Sequence, residues 1–150
     1  LYQRLLHRTA DAAGRAFFAQ LLGQGVSIEA IAAELAGSNE FFVEQGGGTN
    51  AGFLNALYQD TLGRPIDSGG LAWWTSRLAA GQSRTQVAAQ ILATDEYRAG
   101  VVQATYQLLL RRNADAAGLA HWVGVLRTGV SDQQFTAVIA GSDEYFAETA

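Results

Sequence analysis

One helical unit is written three times in this chain, and that repetition limits the possible folds more than any composition value does. Aligning Leu1-Tyr2-Gln3, Leu57-Tyr58-Gln59 and Thr105-Tyr106-Gln107 gives offsets of 56 and then 48, and the same landmarks follow each start. Arg8, Arg64 and Arg112 come first, then Asp11, Asp67 and Asp115, then Gly14, Gly70 and Gly118. An aromatic (Phe18, Trp74, Trp122), a Leu (Leu22, Leu78, Leu126), a Gly (Gly25, Gly81, Gly129) and a Ser (Ser27, Ser83, Ser131) continue the series. Each unit closes on Ser38, Thr94 or Ser142, with Glu40, Glu96 or Glu144 two residues later and an aromatic next. A period of this length marks a repeated supersecondary unit that buries its apolar face against its neighbours. The boundaries read as repeat one over 1–45, a Gly-rich linker and the start of the next helix over 46–56, repeat two over 57–104 and repeat three over 105–150.

Within a unit the apolar spacing is helical. Leu54, Leu57, Tyr58 and Leu62 form one stripe, and Val102, Tyr106, Leu109 and Leu110 repeat it. Asp67 is placed to cap a second helix carrying Leu71, Trp74 and Leu78 and ending at Gly81. Ser83 with Gln86, and Ser131 with Gln134, have capping-box spacing and start a third helix, with Val87, Ile91 and Leu92 on its buried face. Thr94-Asp95-Glu96 and Ser142-Asp143-Glu144 then cap a fourth segment with acids in its first turn, where the helix dipole favours them. No stretch alternates as a half-buried strand does. The expected fold is all-α, a helical array of three homologous three-to-four-helix units packed side by side. Gly46-Gly47-Gly48-Thr49-Asn50 reads as a flexible break before Asn50 caps the next helix. Asp95 to Arg112 reads as nearly continuous helix weakened only at Gly100, so the last two repeats are expected to be coupled more rigidly than the first two.

Charge and composition remove several classes of function. The net charge is -4, and the ten basic residues are all Arg, scattered with no run longer than Arg111-Arg112. Nucleic acid is therefore not an expected partner. No apolar stretch approaches the roughly 20 residues of a membrane-spanning helix, so membrane insertion is not expected either. The absence of Cys removes disulfides and thiol chemistry. Opening on Leu1-Tyr2, inside a helix of the repeat, suggests a piece of a longer polypeptide whose export signal would lie elsewhere.

The unit resembles the bacterial domain of unknown function numbered forty-two fourteen, through Leu62-Gly63-Arg64, Asp67-x-x-Gly70-Leu71-x-x-Trp74 and Thr94-x-Glu96-Tyr97. Repeat three has Arg111 in place of the Gly. Repeat one departs most, with His7 for the Gly, Arg15 for the Leu and Phe18 for the Trp. A related helical pattern occurs in phycobilisome linkers. The resemblance implies an extracellular, non-catalytic module of large secreted or surface-layer proteins, including calcium-dependent repeat proteins, and it brings no catalytic residues with it.

The candidate chemistry is sparse. No Ser lies in a nucleophile elbow, and Asp95-Glu96 and Asp143-Glu144 are adjacent helical residues that point apart, so no enzyme is expected. The repeated Arg8, Asp11 and Glu40, with Arg64, Asp67, Glu96, Arg112, Asp115 and Glu144, read first as structural: the Asp accepts backbone amides, and the Arg pairs with it or with the later Glu. No cofactor is required, although Asp67 and Asp115 are candidate calcium carboxylates if further oxygens join them. His7 has no ligand spacing, and His121 reads as an imidazole beside core Trp122. Trp73 is adjacent to Trp74 and so about 100° from it around a helix. Its bland reading is a groove filler between repeats. Its sharper reading is an exposed indole that, with Arg77 and Gln59, and with His121 and Trp122 in repeat three, stacks on a sugar ring or anchors a partner protein. The expected role is thus a structural or interaction module contacting other domains of a surface protein, with glycan binding as the alternative. The positions where the repeats differ, Phe17, Trp73 and His121, are where function is expected to lie.

Overall fold

The computed structural model describes residues 2–149, without the side chains of residues 2, 4, 148 and 149. Leu1 lies outside the described residues, as does the side chain of Tyr2, the first-repeat counterpart of Tyr58 and Tyr106. The chain is all-α, with no strand among the described residues. A π-helical turn over Tyr2–Leu6 precedes α1 (Ala12–Gly23) and α2 (Ile28–Ala36), and a second π-helical turn over Phe41–Gln45 closes the first repeat. Helices α3 (Asn50–Leu62), α4 (Ser68–Ala79) and α5 (Arg84–Leu92) form the second. Then come α6 (Asp95–Leu110), α7 (Ala116–Arg127), α8 (Asp132–Ala140) and α9 (Asp143–Thr149). No helix among the described residues is long and apolar enough to cross a membrane.

The expected helix signals are in place. Asp11, Asp67 and Asp115 each accept the N–H of the Gly three residues on, at 2.6, 2.6 and 2.7 Å. Ser83 and Gln86 exchange hydrogen bonds of 2.9 and 3.0 Å, and Ser131 with Gln134 does the same. Each cap satisfies an orphan donor and contributes about 1 kcal/mol. One cap is shifted: Thr49, not Asn50, caps α3 by accepting the Gly52 N–H at 3.1 Å. Asn50 is already helical. The threonine wins because a capping side chain must reach an amide three residues on, and Gly52 is the amide that the turn presents.

The packing divides the chain into two compact units, Leu1–Leu92 and Ala93–Ala150. In the first, Ile31, Phe41, Phe53, Leu54, Leu57, Val87 and Ile91 are wholly or almost wholly buried in one core. Repeats one and two meet there through their third helices, α2 and α5. A Cβ on Gly37, at the end of α2, would collide with the Thr85 backbone, so only glycine allows that approach. The glycine stretch is thus not a loose break between these repeats. It closes a turn in which Gly48 and Gly47 donate to the Phe42 and Val43 carbonyls at 2.9 and 3.1 Å. Gly46 is buried against the backbone of Phe53. Composition suggested slack because glycine serves close backbone approach as readily as flexibility.

The second unit is built on α6, against which α7, α8 and α9 pack. Its core holds Val102, Tyr106, Leu110, Val123, Leu126, Phe135 and Ile139. The closing motif of repeat two, Thr94 to Tyr97, opens α6, and the Tyr97 hydroxyl donates to Asp132 at the start of α8 at 3.1 Å.

Candidate functional site

The repeated polar residues converge on one knot at the turn between the first and second helices of a repeat. In repeat two, Trp74 is buried and donates its indole N–H to the Tyr58 hydroxyl at 2.8 Å, while the Arg64 guanidinium lies 5.1 Å over the Tyr58 ring. Repeat three repeats it: Trp122 donates to Tyr106 at 3.0 Å and Arg112 lies 5.0 Å over that ring. A Cβ on Gly70 would stand 2.8 Å from the Asp67 carboxylate and 3.1 Å from the Tyr58 hydroxyl, so glycine suits the crowded turn of repeat two, while at Gly118 the corresponding distances are 3.0 and 3.7 Å. The turn itself is tied back by Asn55, which accepts the Ile66 N–H at 3.2 Å, and by Gln103, which accepts the Ala114 N–H at 2.9 Å.

In repeats one and three the repeated Arg and Glu close the knot. Arg8 forks onto Glu40 at 2.5 and 2.9 Å, and Arg112 onto Glu144 at 2.6 and 2.9 Å. The guanidinium hydrogen bonds hold the Glu40 and Glu144 carboxyls below their ordinary range. Arg64 donates to the Pro65 carbonyl at 3.2 Å. The residue before each Arg is left-handed: His7 at φ 57°, Gly63 at 69° and Arg111 at 56°. Glycine takes that conformation freely, and the other two side chains bear a cost of about 1–2 kcal/mol. His7 also reaches Asp60 of α3 at 3.5 Å, a tie between repeats one and two.

Asp67 and Asp115, the candidate calcium carboxylates, act as helix caps in different compact units. Among the described residues no group of three or more His, Cys, Asp or Glu side chains is placed to hold a metal ion.

The positions that vary between repeats behave differently. Trp73 is 55% exposed, so it does not fill a groove between repeats. Its packing is local, with the Arg77 guanidinium 4.2 Å from the ring centroid. Phe17 is also 55% exposed, edge-on to Phe18, and His121 is exposed with its ring edge-on to Trp122 at 4.8 Å. The rings at these three positions of α1, α4 and α7 therefore stand on the solvent side of the helix whose other face holds Phe18, Trp74 or Trp122. Gln59 is exposed on α3, with no hydrogen bond to Trp73 or Arg77. Trp122 is half-buried against Phe135 at 5.1 Å, so it serves the core rather than a binding face. His121 and Trp122 belong to the second compact unit, apart from the Trp73, Arg77 and Gln59 group of the first.

Sequence reasoning missed the indole-to-tyrosine hydrogen bond, although its signal was present: Tyr58 and Tyr106 each precede their Trp by 16 residues. It also missed a cleft of about 380 Å³ at the junction of repeats one and two, lined by Asn50, Leu78 and Arg84 among others. No motif marked those residues, because the cleft is made by segments from two repeats.

A family model described as Domain of unknown function (DUF4214) matches residues 1–45, 32–101 and 98–149. No curated protein and no solved structure matches the chain.

Proposed function

The chain belongs to the family of the domain of unknown function DUF4214, and from that premise we propose a non-catalytic structural or interaction module of a bacterial cell-surface or secreted protein. The observation that carries this reading is the division of labour within the repeat. The polar residues common to the repeats make caps, turn ties and ion pairs, whereas the varying aromatic position faces solvent. A catalytic group needs a free nucleophile, acid or base, whereas Asp11, Asp67 and Asp115 hold backbone amides and Glu40 and Glu144 hold guanidinium groups. An exposed aromatic on a rigid helix suits contact with a partner, because its area is large and little conformational entropy is lost on binding. Antibodies raised against this chain are expected to label intact cells of the producing bacterium or to detect the protein in its medium. Labelling only after permeabilisation would overturn the extracellular reading.

A second reading, glycan binding, is favoured by Trp73 with Arg77 stacked on it. The guanidinium packs on an indole that is 55% exposed, and a sugar ring would stack by its C–H face on that exposed surface. On a glycan array the chain is expected to bind a subset of sugars, and Trp73→Ala is expected to reduce that signal at least about tenfold. Silence across a broad array sinks the glycan reading and leaves the protein-contact reading standing.

A further inference from the structure

We infer that the cleft at the junction of repeats one and two is a binding site for an acidic sugar unit, a pyranose carrying a carboxylate. This goes beyond the module reading and does not depend on Trp73. The cleft, about 380 Å³, lies wholly within the first compact unit, where the end of α2, the start of α3 and the α4–α5 connection meet. That volume falls within the range of small-molecule sites and admits a single sugar ring.

The chemistry of the lining selects the ligand. Among the described residues Arg84 is the only charged one that lines it, and no carboxylate does. Its guanidinium is already fixed: Nε donates to the Gly37 carbonyl at 3.3 Å, and the group lies 4.3 Å from the Phe42 ring centroid. Among the described residues its two Nη groups make no hydrogen bond, so a pre-oriented cation keeps its forked donors for a carboxylate. Holding Arg84 in place before binding removes side-chain entropy that association would otherwise cost.

The neutral groups are donors as well. Gln82 accepts from Gln90 through Oε1 at 3.2 Å, which leaves its amide N–H₂ available. Ser83 accepts the Gln86 N–H through Oγ and keeps its hydroxyl proton. The Asn50 amide and Thr85 hydroxyl make no hydrogen bond among the described residues. Amides and hydroxyls that donate and accept match ring hydroxyls, which do both, better than an apolar ligand, and the Arg84 charge opposes a cation. Among the described residues Leu78 supplies the apolar side chain of the lining, matched to the C–H face of a pyranose. A bare carboxylate would use Arg84 alone, and a neutral sugar would leave the guanidinium without its partner.

The test is an amide NMR titration of the whole chain with D-glucuronate, D-glucose and acetate. Saturable shifts with glucuronate are expected at Asn50, Gln82, Arg84 and Thr85, with glucose and acetate each at least about tenfold weaker. Arg84→Gln is expected to weaken glucuronate at least about tenfold, while Trp73→Ala leaves it unchanged, which separates this site from any glycan contact at Trp73. Because Arg84 also packs on Phe42, Asn50→Ala, at an exposed helix start, provides a second variant with an expected loss of about threefold. The proposal is overturned by no saturation with glucuronate, by acetate or glucose binding as tightly, by shifts centred elsewhere, or by unchanged affinity in both Arg84→Gln and Asn50→Ala.

Discussion

Gly52→Ala is expected to lower the unfolding temperature of the first compact unit by more than about 10 °C, from a loss of roughly 2–4 kcal/mol. The sign is opposite to helix propensity, under which alanine inside a helix such as α3 gains up to about 1 kcal/mol over glycine. Sterics decide the outcome. A Cβ at this position would fall well inside contact distance of the Gly46 carbonyl oxygen, and that oxygen belongs to backbone, not to a side chain that can swing away. Gly46 has no room to retreat, because its own Cβ position lies 2.7 Å from the Phe42 carbonyl and 2.8 Å from the Phe53 backbone. The turn must open, and opening it pulls at Phe41 and Phe53, two fully buried rings in edge-on contact at 5.9 Å. Gly100→Ala is the matched control: it is also helical, nothing lies within 4 Å of its Cβ position, and a gain of about 0.5–1 kcal/mol is expected. Circular dichroism melts of both variants check the pair. A Gly52→Ala melt equal to or above the parent's would mean that the glycine turn does not press on α3.

The same two glycines show where sequence reading succeeds and where it stops. Caps such as Asp67 on Gly70, and boxes such as Ser83 with Gln86, are legible because donor and acceptor are three residues apart and the residue types state the chemistry. The Arg112 and Glu144 pair spans 32 residues, yet it is anticipated because both members recur in every repeat. Gly46 and Gly52 are different. Glycine is used for left-handed backbone, for slack and for close approach, and only the path of the chain tells which. Comparing repeats singles out the three variable rings and separates Trp73 from Trp74, because Trp74 aligns with the apolar Phe18 and Trp122 while Trp73 does not. Whether Trp73 fills a groove or faces solvent depends on what packs beside α4, and it is the structure that leaves it 55% exposed. The cleft around Arg84 was illegible for a related reason. Its lining comes from places that no period or motif connects, and Arg84 becomes distinctive only once Gly37 and Phe42 are seen to hold it.

Phe135→Ala is expected to cost the second compact unit about 3–5 kcal/mol. Phe135 is fully buried at the centre of its core, with its ring 5.1 Å from Trp122 and Ile139 one helical turn further along α8. Truncation removes the ring's own burial and leaves a cavity that the surrounding backbone can only partly close, so both penalties apply. The effect should spread to the polar knot. Trp122 would lose the surface that steadies its indole, while its N–H has to stay on the Tyr106 hydroxyl and Arg112 over the Tyr106 ring. A marginal domain has only about 5–15 kcal/mol of stability in all, so a loss of this size shows as a shifted denaturation midpoint and as faster amide exchange in α6 to α8. Repeats one and two carry Ile31 and Val87 at the equivalent position, both buried, which supplies a graded series. Phe135→Ile is expected to cost less than Phe135→Ala, because a branched side chain refills part of the cavity. A loss below about 1 kcal/mol for the alanine variant, or an isoleucine variant as damaged as the alanine one, would show that the third repeat does not build its core around this ring.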